Sequence, residues 1–143
     1  MLFAAPVLLV LDGIGNPHNL GAIARGAAFF GTKALLLSGD SRQADLSDAA
    51  FRTSEGGLEH LAVYRAGQWH IVGAVAQGGL PPARIARQKP IALVMGAEET
   101  GLSPDILACC AERVTLPGSG LVESLNVAAA TAVLLHALHP GTG

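Results

Sequence analysis

The residues best suited to chemistry lie near the carboxyl end of the chain, where a glycine-rich stretch leads into an apolar run. Ser124 and Asn126 place a hydroxyl and a carboxamide two residues apart, directly before that run. The first turn of a helix leaves backbone N–H groups without intrahelical partners, so polar side chains and ligands collect there. We therefore expect residues 116–130 (the third segment) to hold a polar ligand at the start of the last helix. The two side chains could also simply cap that helix.

Two other segments contribute charged side chains. Residues 16–25 (the first segment) end at Arg25, which falls about two turns inside a predicted helix that Asn19 is placed to cap. Residues 96–103 (the second segment) follow a predicted buried strand and include Glu98. Ligands of open α/β sheets bind beyond the carboxyl ends of strands, so this loop is a candidate binding element. In the alternative interpretation, the arginine belongs to a surface ion pair and the glutamate is simply solvated.

Predicted strands and helices alternate along the chain, and they must position these segments. The predicted strands cover residues 7–11, 34–37, 62–64, 70–75, 91–95 and 113–116, and the predicted helices cover 19–31, 45–61 and 123–138. This alternation favours an α/β fold with a mostly parallel sheet and helices on both faces. Too few residues separate the third and fourth strands for a parallel crossover, which needs about a dozen. Either they form a hairpin or a helical segment near residues 65–70 is absent.

The composition fits one compact domain. The chain has 143 residues, of which 50% are hydrophobic and 14% charged, and it contains 18 glycines. These values argue against disorder and suit many tight strand-to-helix turns. The apolar runs are too short to cross a membrane, and the opening run lacks a basic start, so it predicts a buried strand rather than a signal peptide. The net charge of −2 argues against tight RNA binding by this domain alone.

The two cysteines, Cys109 and Cys110, are adjacent. Adjacent cysteines have poor geometry for an ordinary disulfide, and they offer no spacing typical of metal ligands. We interpret them as small buried hydrophobic residues near a helix end, in a reducing cytoplasmic setting. No other cluster in the sequence predicts a metal site.

Together the three segments resemble the signature of the SPOUT RNA methyltransferases, specifically the SpoU/TrmH family of ribose 2′-O-methyltransferases. The first segment has the family's Asn and Arg six positions apart, and the third contains its Val-Glu-Ser-Leu-Asn-Val core at residues 122–127. The second matches the family's Gly-Asn-Glu-Gly-x-Gly-Leu-Ser except at Ala97 and Glu99. The resemblance covers almost the whole chain and implies the SPOUT fold, with a deep trefoil knot formed by the C-terminal helix.

The resemblance implies methylation of a ribose 2′-hydroxyl in tRNA or rRNA, with S-adenosylmethionine as the cofactor. The implied catalytic residues are Asn19, Arg25, Glu98, Ser124 and Asn126. The implied cofactor-binding residues are Ala74, Ala76, Gly96, Leu116, Gly118 and Leu125. The implied RNA-binding residues are His18, Arg25 and Arg52. Gly118 stands where the family commonly has Met, which loosens one wall of the adenine pocket.

The resemblance also implies the partners. We expect a homodimer formed through the last helix and the helix of the first segment, because family active sites take residues from two subunits. We expect RNA as the other partner and neither a membrane nor a metal. Since family members commonly carry a small RNA-binding domain beside the catalytic one, we expect residues 1–143 to be a fragment that lacks such an N-terminal domain. The family also has a helix between the third and fourth strands, so we favour the absence of a segment near residues 65–70.

Three alternatives remain at this point. A non-catalytic RNA-binding or assembly module could retain the same fold, and the low positive charge favours it slightly. A SPOUT enzyme could instead methylate a base. The glycines of Gly13-Ile14-Gly15 follow a strand as in a dinucleotide-binding fingerprint, but that fingerprint needs a third glycine where this chain has His18.

Overall fold

The computed structural model describes residues 7–32, 35–37, 53–54, 69–97, 100–119 and 125–138. Its strands are β1 (Val7–Asp12), β2 (Leu35–Leu37), β3 (Thr53–Ser54), β4 (His70–Ala74), β5 (Ile91–Gly96) and β6 (Glu112–Val114). Its helices are α1 (Pro17–Phe29), α2 (Pro104–Cys109) and α3 (Val127–Leu138), with a 3₁₀ turn at Pro82–Arg84. The predicted α/β fold class is confirmed.

The described strands form one six-stranded sheet in the order β3-β2-β1-β5-β4-β6, and every neighbouring pair is parallel. β2 and β3 extend the sheet on one side of β1, whereas β5, β4 and β6 extend it on the other. The order therefore reverses beside β1, between β1 and β5. In open parallel sheets ligands bind outside the carboxyl ends of the strands at such a reversal, so the topology selects one edge of this sheet as the candidate site.

Helices cover both faces of the sheet, as predicted. Leu9 and Leu11 of β1 point toward the core that α1 and α3 cover, and Leu8 and Val10 point toward the smaller core that α2 covers. β1 is buried along its whole length because both of its faces are covered. This explains why an unbroken apolar run, and not an alternating one, predicted the strand.

Two features of the fold differ from the sequence-based expectation. The helix predicted over residues 45–61 is wrong at Thr53–Ser54, which form a strand paired with Leu35 and Leu36 of β2. The pairing partner is distant in sequence, so no local pattern in this polar stretch predicts it. Helix α2 received no prediction, because six residues are too few to show a helical period. The rest of residues 45–61 and the strand predicted at 62–64 lie outside the described residues.

The pairing of β4 bears on the short connection that precedes it. His70–Gly73 pair with β5, and Val72–Ala74 pair with β6 on the opposite edge, in both cases parallel. In a hairpin, the segment before β4 would have to pair with one of the two edges of β4. Over Val72–Ala74 both edges are already paired, one with β5 through Gly73 and the other with β6. Absence of a segment near residues 65–70 stays a prediction, as does the trefoil knot. No helix within the described ranges is long and apolar enough to cross a membrane.

Candidate active site

Helix α1 begins with a side-chain cap that fixes the first segment. The Asn16 side-chain oxygen accepts hydrogen bonds from the backbone N–H groups of His18 at 2.8 Å and Asn19 at 3.2 Å. The cap is therefore Asn16, and the prediction that Asn19 caps this helix is wrong. Pro17 explains the difference, because proline is favoured at the first helical position and places the cap immediately before it. The Asn19 side chain is left inside the first turn.

A hydrogen bond between two carboxamides joins the first and third segments. Asn126 Nδ2 donates to Asn19 Oδ1 at 3.1 Å. The Asn126 oxygen accepts from the N–H groups of Ala128 at 2.8 Å and Ala129 at 3.3 Å, and so caps α3. Because its oxygen faces the helix, its NH₂ group must face Asn19. Asn126 is thus both the helix cap and the link to Asn19, which lies 107 residues earlier in the chain.

A second hydrogen bond links the end of β1 to the second segment. Asp12 is 3% exposed, and its Oδ2 accepts from the Ser103 backbone N–H at 3.1 Å. The Ser103 hydroxyl in turn accepts from the Ile106 N–H at 3.3 Å and caps α2. Sequence analysis did not include Asp12 in the site. The available signal was a carboxylate that ends an otherwise apolar strand.

The second segment starts with a tight turn that needs glycine at two positions. A methyl group on Gly96 would lie 2.5 Å from the carbonyl carbon of Gly101, so no larger residue fits there without moving the backbone. Gly101 has a φ of +67° and donates its N–H to the Ala97 carbonyl at 2.8 Å. The turn therefore folds back onto the end of β5. Glu98, which falls within it, lies outside the described residues.

The predicted cofactor residues converge because the strands that precede them are parallel. Ala74 ends β4, Gly96 ends β5, and Leu116 follows β6 by two residues. Ala74 is paired with Val114 in register, and Asp12 is paired with Gly96. The carboxyl ends of β1, β5, β4 and β6 therefore meet at one edge of the sheet, which is the edge selected by the strand order.

A hydroxyl group holds the loop after β4 against the start of the third segment. Thr115 Oγ1 donates to the Val75 carbonyl at 2.9 Å and accepts from the Gly79 N–H at 2.8 Å. The Leu80 N–H donates to the Arg113 carbonyl at 2.8 Å. These bonds position the residues between 75 and 79, including Ala76, next to the strand that leads to Leu116.

The surface at this edge is apolar and open. Leu125 is 52% exposed, Leu116 is half-buried, and Ala76 and Gly118 are exposed. A methyl group on Gly118 would contact nothing within 4 Å. None of the six predicted cofactor residues carries a charge, so this surface suits a ligand held by apolar contacts and backbone hydrogen bonds.

The two predicted RNA-binding residues of α1 are exposed. Arg25 lies six residues after Asn19, which places it about 120° around the helix from that side chain. The buried stripe of α1 is formed by Leu20, Ile23 and Ala27, and Arg25 lies on the opposite side. Within one chain the structure therefore does not bring Arg25 to the Asn19–Asn126 pair. Ser124 and Arg52 lie outside the described residues, as Glu98 does.

Comparison with known proteins identifies the family. The model of the SpoU rRNA Methylase family matches residues 6–136. The chain belongs to this family. It is 37% identical over 142 residues to the 23S rRNA (guanosine-2′-O-)-methyltransferase RlmB of Yersinia pestis, across 91% of this chain and 57% of that protein. The predicted family resemblance is confirmed.

Solved structures of SpoU and TrmH proteins share the fold. A TrmH-family protein from Porphyromonas gingivalis superposes with a TM-score of 0.82 at 30% identity, covering 97% of this chain and 61% of that one. An AdoMet-bound rRNA methyltransferase from Sinorhizobium meliloti superposes with a TM-score of 0.83 at 23% identity, covering 95% of this chain and 56% of that one. The chain spans about half the length of the curated relatives that it matches. The share is 37% of the length of one such relative and 58% of another.

In this SpoU-family chain the adjacent cysteines lie at the end of α2, just before β6, and Cys110 packs against the smaller core. Both are half-buried free thiols, and Cys110 Sγ donates to the Ile106 carbonyl at 3.3 Å. Burial, with a smaller contribution from the neighbouring Cys109, raises the pKa of Cys110 to about 11, against an opposing effect of Arg113. A thiol with this pKa stays protonated near neutral pH, so Cys110 is no nucleophile. Within the described ranges, no three His, Cys, Asp or Glu side chains are grouped as metal ligands would be.

Proposed function

We propose that the chain is the catalytic domain of an RNA methyltransferase that uses S-adenosylmethionine to methylate a ribose 2′-hydroxyl in tRNA or rRNA. The observation that carries the proposal is the Asn126–Asn19 hydrogen bond, which brings the family's first and third segments together at the edge selected by the strand order. Family membership and the name of the RlmB relative support the same reaction.

We assign the cofactor to the open apolar surface at the carboxyl ends of β4, β5 and β6. The residues assigned to it are Ala74, Ala76, Gly96, Leu116, Gly118 and Leu125. Their lack of charge fits an adenosine group contacted through apolar atoms and backbone groups. When bound, S-adenosylmethionine supplies a methyl group on a positively charged sulfur.

The chain's own residues then have two tasks, which are to position the ribose and to deal with its proton. The 2′-oxygen would lose its proton as it bonds to the methyl carbon, while the bond between that carbon and sulfur breaks and S-adenosylhomocysteine leaves. A guanidinium group carries a permanent positive charge in proteins and is a poor base, so Arg25 acts by stabilising the developing negative charge on that oxygen. The proton passes to the Glu98 carboxylate or to a phosphate of the substrate. Ser124 and Asn126 orient Arg25 and the ribose, and Asn19 shapes the pocket.

A homodimer would supply the missing arginine. Helix α3 contains no Asp, Glu, Lys or Arg, and on α1 Arg25 is the single charged residue. Both helices nevertheless leave apolar side chains in solvent, since Phe29 is 82% exposed and Val133 is 45% exposed. A second copy that covers these faces would bury them and would carry Arg25 of one protomer to the site of the other.

The remaining assignments concern RNA contacts and location. We assign His18 and Arg52 to contacts with the RNA, and a cytoplasmic location suits an enzyme with two free thiols and an RNA substrate. An N-terminal RNA-binding domain stays a prediction, and the low charge of this domain favours one.

The first experiment measures cofactor binding. The purified chain is titrated with S-adenosylmethionine in a calorimeter, with NAD as the control ligand. We expect micromolar binding of S-adenosylmethionine alone. A folded chain that binds neither ligand would contradict the proposal and favour the non-catalytic RNA-binding module.

The second experiment identifies the methylated atom. The chain is incubated with S-adenosylmethionine carrying a tritiated methyl group and with mixed tRNA and rRNA, and the RNA is then hydrolysed in alkali. A 2′-O-methyl group blocks attack by that oxygen on the neighbouring phosphate, so we expect the label in alkali-resistant dinucleotides. Label in single nucleotides would instead identify a base methyltransferase.

A further inference from the structure

Asp12 is the one buried ionisable side chain in the part of the chain that the structure describes, and the reaction proposed above gives it no task. It ends β1 and is 3% exposed. A buried carboxylate is costly unless hydrogen bonds satisfy it, so its position needs a reason. Its described partner is a backbone group, the Ser103 N–H at 3.1 Å, and not a cation.

That hydrogen bond fixes one end of the second segment. The other end, Gly96, is held by its pairing with Asp12 in the β1–β5 ladder. Asp12 therefore contacts both ends of the segment. Its backbone is paired with Gly96, and its carboxylate binds the N–H of Ser103. Gly101 also packs directly against Gly96, since a methyl group on Gly96 would lie 2.5 Å from the Gly101 carbonyl carbon.

The contact also lies at the start of a helix. Ser103 caps α2 through its hydroxyl, while its own N–H points at Asp12. Ile106, which donates to that hydroxyl, is buried against β1 and β5 in the smaller core. If the Asp12 contact is lost, the segment stays covalently attached to α2. It loses, however, the one side-chain hydrogen bond to β1 that the structure describes for it.

We propose that Asp12 is a positioning residue, whose carboxylate holds Ser103 against the end of β1 and so keeps Gly101 and Gly96 in the arrangement that binds the cofactor. This inference rests on the proposed function, because it takes Gly96 as a cofactor-binding residue and Glu98 as a catalytic one. Asp12 acts through the Ser103 N–H and does not itself touch the cofactor or the RNA. Its contribution therefore depends on hydrogen-bond acceptance and not on acid–base chemistry.

The matched variants are Asp12→Ala and Asp12→Asn. The alanine removes the acceptor and leaves the partly buried Ser103 N–H without it, so we expect the dissociation constant for S-adenosylmethionine to rise about tenfold. The asparagine oxygen can still accept from Ser103, so we expect Asp12→Asn to restore most of the affinity. Equal affinity of wild type and a folded Asp12→Ala would overturn the proposal.

A second pair removes the donor instead of the acceptor. Ser103 has φ −66° and ψ 154°, values that proline adopts. Ser103→Pro therefore loses the N–H together with the hydroxyl, whereas Ser103→Ala loses the hydroxyl alone. We expect Ser103→Pro to bind the cofactor as weakly as Asp12→Ala and Ser103→Ala to bind it more tightly. Equal affinities for the two Ser103 variants would overturn the proposal, even if Asp12→Ala fails to fold.

Hydrogen exchange in the absence of any ligand separates this inference from the proposed function. In Asp12→Ala we expect the amide protons of Ser103 and Gly101 to exchange at least tenfold faster than in wild type, with β4 unchanged. Unchanged exchange at both amides would overturn the positioning role whatever the protein binds. Failure of wild type to bind S-adenosylmethionine would overturn the proposed function, and the exchange rates would then decide the positioning role alone.

Discussion

At the scale of single residues, the site depends on short polar side chains that each serve two partners. Asn126 caps α3 with its oxygen and binds Asn19 with its nitrogen. Thr115 donates to one side of the loop after β4 and accepts from the other. Such side chains connect segments that are distant in sequence without burying a charge. A helix cap and a ligand-positioning residue are therefore not competing interpretations of Asn126.

The two tasks of Asn126 can be separated by substitution. Aspartate caps helices as well as asparagine does, but it has no N–H to donate to Asn19, so Asn126→Asp should change the free energy of unfolding little and abolish methyl transfer. Asn126→Ala loses the cap as well and should cost about 1 kcal/mol of stability. Urea denaturation and a methylation assay on both variants check this. Activity in Asn126→Asp close to wild type would show that capping is the residue's whole contribution.

At the scale of elements, a polar cluster at the amino edge of the sheet holds the loop between β4 and β5. Glu112 Oε1 lies 2.6 Å from His70 Nε2 and accepts from the Ala86 N–H at 3.0 Å. These bonds join the first residues of β4 and β6 to that loop. They lie at the opposite end of the strands from the candidate site, so they concern stability and not chemistry.

This cluster predicts how stability depends on pH. The Ala86 N–H, followed by the hydrogen bond and charge of His70, holds the pKa of Glu112 below its ordinary value of 4.5. A lowered pKa means that the folded state favours the carboxylate, so its stabilisation is fully present above the ordinary value and is lost as pH falls through the lowered one. Glu112→Gln should lower the free energy of unfolding at pH 7 by less than about 1 kcal/mol, because the carboxylate is partly solvated. It should also flatten the fall of that free energy from pH 7 into the acid range below the ordinary pKa.

Denaturant titrations across this pH range measure the effect. Asp105→Asn is the matched control, because it also removes one carboxylate, from an exposed position in the first turn of α2. We expect that control to retain the acid dependence of wild type. The same acid dependence in Glu112→Gln and wild type would show that another carboxylate is responsible.

The elements also show which parts of the fold were predictable from the sequence. β1 and β5 were predicted to within one residue because strands buried on both faces are unbroken apolar runs. β3 was missed because two polar residues become a strand only through pairing with β2. In the site, the segments were recognisable from their residue types and spacing. The bonds between them were not, because a hydrogen bond such as Asp12–Ser103 depends on the register of two strands.

At the scale of the whole molecule, a single chain does not bring the predicted site residue Arg25 to the Asn19–Asn126 pair. The Asn19–Asn126 pair lies where α1 meets α3, while Arg25 is on the opposite side of α1 from the core. Both helices also leave large apolar side chains exposed, Phe29 most of all. A symmetric dimer through these helices would resolve both features, since a surface that faces its own copy is covered on both protomers at once.

Mixing two inactive variants tests whether each site takes residues from both protomers. Homodimers of Arg25→Ala and homodimers of Asn126→Asp should both be inactive. Arg25→Ala should still bind the cofactor normally. In a mixed dimer one site combines both defects, but the other combines the intact Arg25 of one protomer with the intact Asn126 of the other. Random mixing should therefore restore about a quarter of wild-type turnover, because half of the dimers are mixed and half of their sites are intact.

Phe29→Glu in both chains is the control, since this substitution should keep the chains monomeric in sedimentation and prevent the recovery of turnover. One variant is labelled with ¹⁵N so that native mass spectrometry can detect mixed dimers. If the mixture stays inactive although mixed dimers are present, Arg25 does not act across the interface, and the site must be completed within a single chain.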